Sequence, residues 1–81
     1  MRIVYTETFS KDFKKVKDNK TREKILKIIL KIVKNPEIGK PLKYNLKGHR
    51  SIRIPPFRII YRIEQDKIII NCFDHRKDVY K

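Results

Sequence analysis

The sequence has little of what usually staples or anchors a small protein. Its one cysteine, Cys72, has no partner for an internal disulfide, and with only His49 and His75 beside it there is no four-ligand zinc set. Cys72 therefore reads as a small buried hydrophobe. Tryptophan is absent and glycine occurs twice, so Pro and Gly punctuation is confined to Pro36, Gly39, Pro41, Gly48 and Pro55-Pro56. No repeat or low-complexity stretch divides the chain. No apolar run exceeds three residues, which argues against a membrane span, and the first ten residues carry Glu7 without the apolar core of a secretory signal. The expected setting is the cytoplasm, with no membrane, metal or cofactor. Acid is scarce too: 9 Asp+Glu stand against 22 Lys+Arg, a formal net charge of +13.

What is present is a folding pattern under that charge. Residues 1–81 are the length of one small domain, too short for two domains or a large cofactor crevice. With 40% hydrophobic residues in periodic segments, the chain is too apolar for a disordered basic tail. Charge of this size repels itself, so an anionic partner belongs to the working state, and nucleic acid is the default.

Residues 2–6 alternate, with Ile3 and Tyr5 on one side, and read as a first strand. Ser10 is placed to cap a short helix marked by Phe9, Phe13 and Val16 and ending near Asp18-Asn19. A second helix spans residues 21–34. Lys24, Lys27, Lys31 and Lys34 form one stripe on it, while Ile25, Leu26, Ile28, Ile29, Leu30, Ile32 and Val33 spread over roughly 200° of the wheel. So wide an apolar arc calls for cover on two sides. Asn35-Pro36 ends the helix. A β-meander follows, with a short strand within residues 41–46 and stronger ones at 51–54, 57–64 and 67–73. The fold class is α+β: a strand, a two-helix hairpin packed on one sheet face, then the meander.

Strand alternation sorts the arginines. Phe57, Ile59, Tyr61 and Ile63 share a face that Ile68, Ile70 and Cys72 match if residues 63 and 68 are opposite each other, which makes this the core face. Arg58, Ile60 and Arg62 then point the other way, beside Phe73, Asn71 and Ile69. If Ile54 pairs with Phe57 across Pro55-Pro56, Arg53 lies opposite Arg58. Two like charges facing each other destabilise a sheet, and two guanidinium forks there suit an anion. Proline cannot adopt the positive φ of the usual two-residue hairpin turns, so a wider loop and a slipped register are expected at this point. Beyond the last strand come Asp74, His75, Arg76 and Tyr80. Arg53, Arg58, His75, Arg76 and Tyr80 are therefore expected to converge on one concave polar face, with Arg62, nearer the far hairpin, either solvated or contacting a backbone phosphate.

These segments resemble a known family. The order strand, two helices, meander, with GHRSIRIPPFRIIYRI followed by NCFDHRKDVYK, is similar to the RelE/ParE toxin superfamily, specifically its RelE-type messenger-RNA interferases. NPEIGKPLKYNLKG looks like that family's connection between second helix and second strand. The resemblance implies a ribosome-dependent endoribonuclease that cuts mRNA in the ribosomal A site, neutralised by a RelB-like antitoxin that wraps it; its partners are then the antitoxin, mRNA and the ribosomal RNA. It also implies catalytic roles for Arg53 and Arg58 beside the hairpin turn, for Arg76 after the last strand and for the terminal Tyr80, while His75 stands where several relatives have histidine. Two departures stand out. Ser51 replaces a common Lys or Arg, a charge that Arg50 or Lys47 can supply, and Pro55-Pro56 replaces the usual glycine turn. Tyr80, His49 or Tyr44 can stack an unpaired base. Two alternatives remain: a ParE-like inhibitor of DNA gyrase, and a non-catalytic basic RNA- or ribosome-binding module.

Overall fold

The computed structural model describes residues 2–75, excluding the side chains of Asp74 and His75. Strand β1 (Arg2–Tyr5) leads into helices α1 (Glu7–Lys15) and α2 (Asn19–Lys34), followed by β2 (Lys40–Pro41), a 3₁₀ turn (Tyr44–Leu46), β3 (His49–Ile54), β4 (Phe57–Glu64) and β5 (Lys67–His75). The strands form one sheet in the order β1-β5-β4-β3-β2, parallel between β1 and β5 and antiparallel elsewhere. The α+β arrangement expected from the sequence is present, and the helices supply the crossover that the parallel β1–β5 pair needs.

The cap of helix α1 lies four residues before the expected Ser10. Thr6 is the cap: its hydroxyl oxygen accepts from the Phe9 amide at 3.1 Å and donates to the Asn71 carbonyl on β5 at 2.5 Å. Ser10 sits inside the helix, its amide bonded to Thr6 O. The bond to β5 is a tertiary contact, which local sequence does not reveal. At α2 the cap is Asp18, whose carboxylate accepts from the Lys20 amide and the Thr21 hydroxyl; these bonds to the charged form, that from Thr21 above all, lower its pKa from 3.8. Arg22 fastens the turn between the helices, donating from Nε to Val16 O at 2.6 Å with its guanidinium 5.1 Å from the centre of the Phe13 ring.

Ile25, Ile29 and Ile32 of α2 and Phe9 of α1 are buried against Ile54, Ile59, Tyr61, Ile68, Ile70 and Phe73 of the sheet. Each such side chain contributes about 1.5–3 kcal/mol by leaving water. Only this stripe of the wide apolar arc is covered. Leu26 and Leu30 remain 50% and 61% exposed, and the lysine stripe is in solvent.

The last hairpin contains the main departure from simple alternation. Ile63 is opposite Ile68, as expected, and Tyr61 opposite Ile70; then the register slips so that Ile60 faces Cys72 and Ile59 faces Phe73. Asn71 is the extra residue of a β-bulge. One inserted residue reverses the facing of all that follow. Phe73, expected on the outer face, therefore enters the core against Phe57, with ring centres 4.7 Å apart, while Cys72 is half-buried on the other side. Burying a phenyl ring rather than a thiol is the favourable exchange. At the opposite end of the sheet, the strand expected within residues 41–46 is replaced by the two-residue β2 (Lys40–Pro41) and the 3₁₀ turn (Tyr44–Leu46).

Candidate nucleic-acid interface

One sheet face is covered by the helices. The other carries His49, Ser51 and Arg53 from β3, Arg58, Ile60 and Arg62 from β4, and Ile69, Asn71 and Cys72 from β5, by register and alternation. Arg53 is paired with Arg58 and Ile54 with Phe57, so no wider loop or slipped register occurs. The Pro55-Pro56 peptide bond is cis.

The two arginines differ in setting. Arg53 is exposed, whereas Arg58 retains 5% of its accessible surface. The bulge also changes Arg58's neighbour on β5, which is the position of Asp74 and not Phe73 as alternation alone implies. Ser51 is buried opposite Ile60, so the position where a further cation was missed is held by a small hydroxyl beneath the surface.

Beside this pair runs a hydrogen-bonded row. Arg62 donates from Nε to Glu64 Oε2 at 3.2 Å and from Nη1 to Asn71 Oδ1 at 2.7 Å, and Asn71 Nδ2 lies 3.1 Å from His49 Nε2. Alternation placed Arg62 and Asn71 on this surface, His49 was expected only as a base-stacking residue, and Asn71 was not recognised as functional. Its only signal was chemical: an asparagine, disfavoured in strands, inside an otherwise apolar run.

The remaining expected contacts divide. Lys47 is exposed, and Tyr44, 89% exposed, is free to stack on a base. Arg50 is engaged inside the protein: its Nη1 donates to the carbonyls of Glu37 at 3.1 Å and Gly39 at 2.9 Å. Its strand neighbour Tyr61 holds the same linker, because its buried hydroxyl donates to Pro36 O at 2.7 Å and accepts from the Gly39 amide at 2.9 Å. Burial raises the Tyr61 phenol above its ordinary 10.0. Of the C-terminal candidates, His75 is described only as a backbone position opposite Phe57, at the Pro55-Pro56 end of the sheet, and Arg76 and Tyr80 lie outside the described residues. Among the described residues, no three His, Cys, Asp or Glu side chains could hold a metal ion, and no helix is long and apolar enough to cross a membrane.

Two arginines paired across the strands bring positive charge and multiple N–H donors to this face, which suits a phosphate. They cannot act as general bases, because arginine stays protonated.

A five-stranded mixed sheet with two helices on one face and arginines gathered on the other is the fold of the RelE/ParE toxin superfamily. The chain belongs to the family described as the ParE toxin of type II toxin-antitoxin system, parDE, whose model matches residues 3–80. It is 39% identical over 46 residues to toxin RelG of Mycobacterium tuberculosis, a match covering 54% of this chain and 53% of that toxin, so it spans about half the length of the curated relative. Among solved structures, a YoeB/ParE toxin from Agrobacterium tumefaciens superposes with a TM-score of 0.85 at 24% identity, covering 94% of this chain and 99% of that one. A RelBE toxin-antitoxin complex from Mycobacterium tuberculosis gives 0.80 at 26%, covering 93% and 96%.

Proposed function

We propose that this chain is the toxin of a type II toxin-antitoxin pair and acts in the cytoplasm as a ribosome-dependent endoribonuclease that cleaves mRNA. The observation that carries the reading is the Arg53–Arg58 pair, two arginines directly opposite each other in strand register on the sheet face away from the helices. In the reaction, a base removes the proton of the ribose 2′-OH, the 2′ oxygen attacks the adjacent phosphorus, and the 5′ oxygen departs with a proton. The products are a 2′,3′-cyclic phosphate and a 5′-OH. The intervening phosphorane carries more negative charge than the phosphodiester, so fixed arginines lower its energy relative to the ground state.

Proton transfer falls to His75 and Tyr80, with Arg76 as a further positive charge. An ordinary tyrosine, with a pKa of about 10, exchanges protons poorly near neutrality, and the ribosome supplies what is missing by bending the RNA so that the 2′ oxygen is aligned. Lys47, Arg62, His49 and Tyr44 bind the surrounding RNA, and Arg50 acts as an internal clamp. A RelB-like antitoxin is the protein partner. Several of the similar structures are complexes of that kind, including a YoeB–YefM complex from Staphylococcus aureus.

The family description favours one second reading, inhibition of DNA gyrase without RNA cleavage. Mapping mRNA 5′ ends in translating cells separates the two. Wild type should produce new 5′ ends, with Arg58→Ala and Tyr80→Phe each lowering the cleavage rate by about 10²-fold or more. Gyrase-dependent DNA breaks without RNA cleavage select the second reading. Cleavage indifferent to both substitutions sinks the proposed site, and neither effect leaves a non-catalytic RNA-binding protein.

A further inference from the structure

Arginine has only N–H donors, so the Asn71 atom that meets Arg62 Nη1 at 2.7 Å is the amide oxygen. The amide nitrogen is thereby turned to His49 Nε2, 3.1 Å away, and donates to it. An Nε2 that accepts carries no hydrogen, and a neutral imidazole then carries its proton on Nδ1. His49 Nδ1 is buried and has no hydrogen-bond partner among the described residues. One asparagine thus orients two side chains from different strands. The guanidinium of Arg62 is held at a second point by Glu64, 3.2 Å from Nε.

Asn71 is the inserted residue of the β5 bulge and lies on the outer face, two residues on from Ile69, the strand partner of Arg62. From there it spans β4, contacting Arg62 on that strand and His49 on β3. The same residue's carbonyl receives the hydroxyl of Thr6, the α1 cap, so its backbone is tied to the helix layer. A side chain so anchored can hold its neighbours in place.

We propose that Asn71 is a positioning residue of the RNA-binding face, fixing the Arg62 guanidinium and the His49 ring in one row beside the Arg53–Arg58 pair so that Arg62 meets an RNA backbone phosphate in a set orientation. This rests on the RNA-cleaving reading above. The remaining N–H groups of Arg62 are left for the phosphate, and holding the side chain before RNA arrives reduces the ordering that binding requires. Asn71 itself touches no reacting atom in this scheme. Its loss should weaken binding of the substrate more than it slows the chemical step.

The test combines a spectroscopic and a kinetic readout on the full chain. In wild type, ¹⁵N NMR of the neutral histidine rings should show His49 with its proton on Nδ1, and Asn71→Ala should release it toward the Nε2–H form. In ribosome-programmed mRNA cleavage, Asn71→Ala should raise KM by about five- to tenfold and change kcat by less than about twofold, the pattern of lost binding rather than lost transition-state stabilisation. The same substitution in an Arg62→Ala background should add almost nothing, since the two act as a unit. An unchanged KM, additive effects in the double variant, or a wild-type His49 protonated at Nε2 each overturns the proposal. Loss of RNA cleavage as an activity of the wild type is a separate result: it removes the reading on which the proposal rests and takes its kinetic part with it. Circular dichroism of Asn71→Ala guards against unfolding, and Asn71→Ser, which keeps a short polar group at the bulge, provides a second variant if alanine does not fold.

Discussion

The hydroxyl of Tyr61 lies so close to Gly39 that a methyl group on the glycine would stand 2.6 Å from the phenolic oxygen. Tyr61 is fully buried and cannot swing away without opening the core. Gly39→Ala should therefore destabilise the fold by about 1–3 kcal/mol, the usual range for overpacking. Gly48 provides the contrast. It has open space around it and φ of +92°, so Gly48→Ala should cost only about 1–2 kcal/mol, from backbone conformation alone. Urea unfolding of both variants checks the difference in cause: Phe in place of Tyr61 should relieve part of the Gly39→Ala defect and none of the Gly48→Ala defect.

Tyr61→Phe by itself leaves the Gly39 amide and the Pro36 carbonyl without their phenol partner and should cost about 1–3 kcal/mol near neutral pH. The deficit should shrink in alkali. Because burial raises the folded-state pKa above 10.0, the phenol's contribution is complete below 10.0, then declines as the unfolded chain ionises first, and is lost as pH rises through the folded value. Denaturation of wild type and Tyr61→Phe on both sides of pH 10 should show the two stabilities converging. A constant gap would contradict the assignment.

Asp18 behaves in the opposite sense. Its pKa lies below 3.8, chiefly through the Thr21 hydroxyl, so its capping contribution is present above 3.8 and lost as pH falls through the lowered folded value. Asp18→Ala should melt earlier than wild type at neutral pH and at the same temperature as wild type in strong acid. Thr21→Val should narrow the pH range over which Asp18 remains charged.

Leu26 lines a groove of about 330 Å³ with Tyr5, Phe9, Phe13, Lys14 and Ile29, and Leu30, one turn further along α2, is also exposed. On the toxin reading proposed above, an amphipathic antitoxin helix bearing carboxylates is expected to use this surface, through apolar contact and opposite charge. Leu26→Glu combined with Leu30→Glu should weaken the toxin-antitoxin complex by at least tenfold in calorimetric titration without lowering the melting temperature of the free toxin. Raising salt should weaken the wild-type complex too. Equal affinity at low and high salt would remove the electrostatic half of this account.

Much of the fold is legible in the residues because it depends on local periods. The Ile25, Ile29 and Ile32 spacing set the buried stripe of α2, and the Phe57–Glu64 strand was read with its observed bounds. Parity put Arg53 and Arg58 on one face, but their direct pairing came with the observed register, against the wider loop and slip expected at Pro55-Pro56. The uncommitted lysine stripe was likewise visible as a repeated spacing.

Tertiary structure decided what parity and local spacing could not. A bulge is a one-residue defect whose position depends on how two strands and a helix layer fit together, and this one exchanged Cys72 for Phe73 in the core. Alternation put Asn71 on the face of Arg62, but its bonds to Arg62 and His49 across two strands are tertiary. The sheet similarly recruited Thr6 in place of Ser10 as a cap, and the linker turned Arg50 inward onto two carbonyls. The sequence alone determined that the chain is strongly basic and where its helices and main strands lie. Which cations face outward, and which side chains hold them, depends on contacts between residues far apart in the chain.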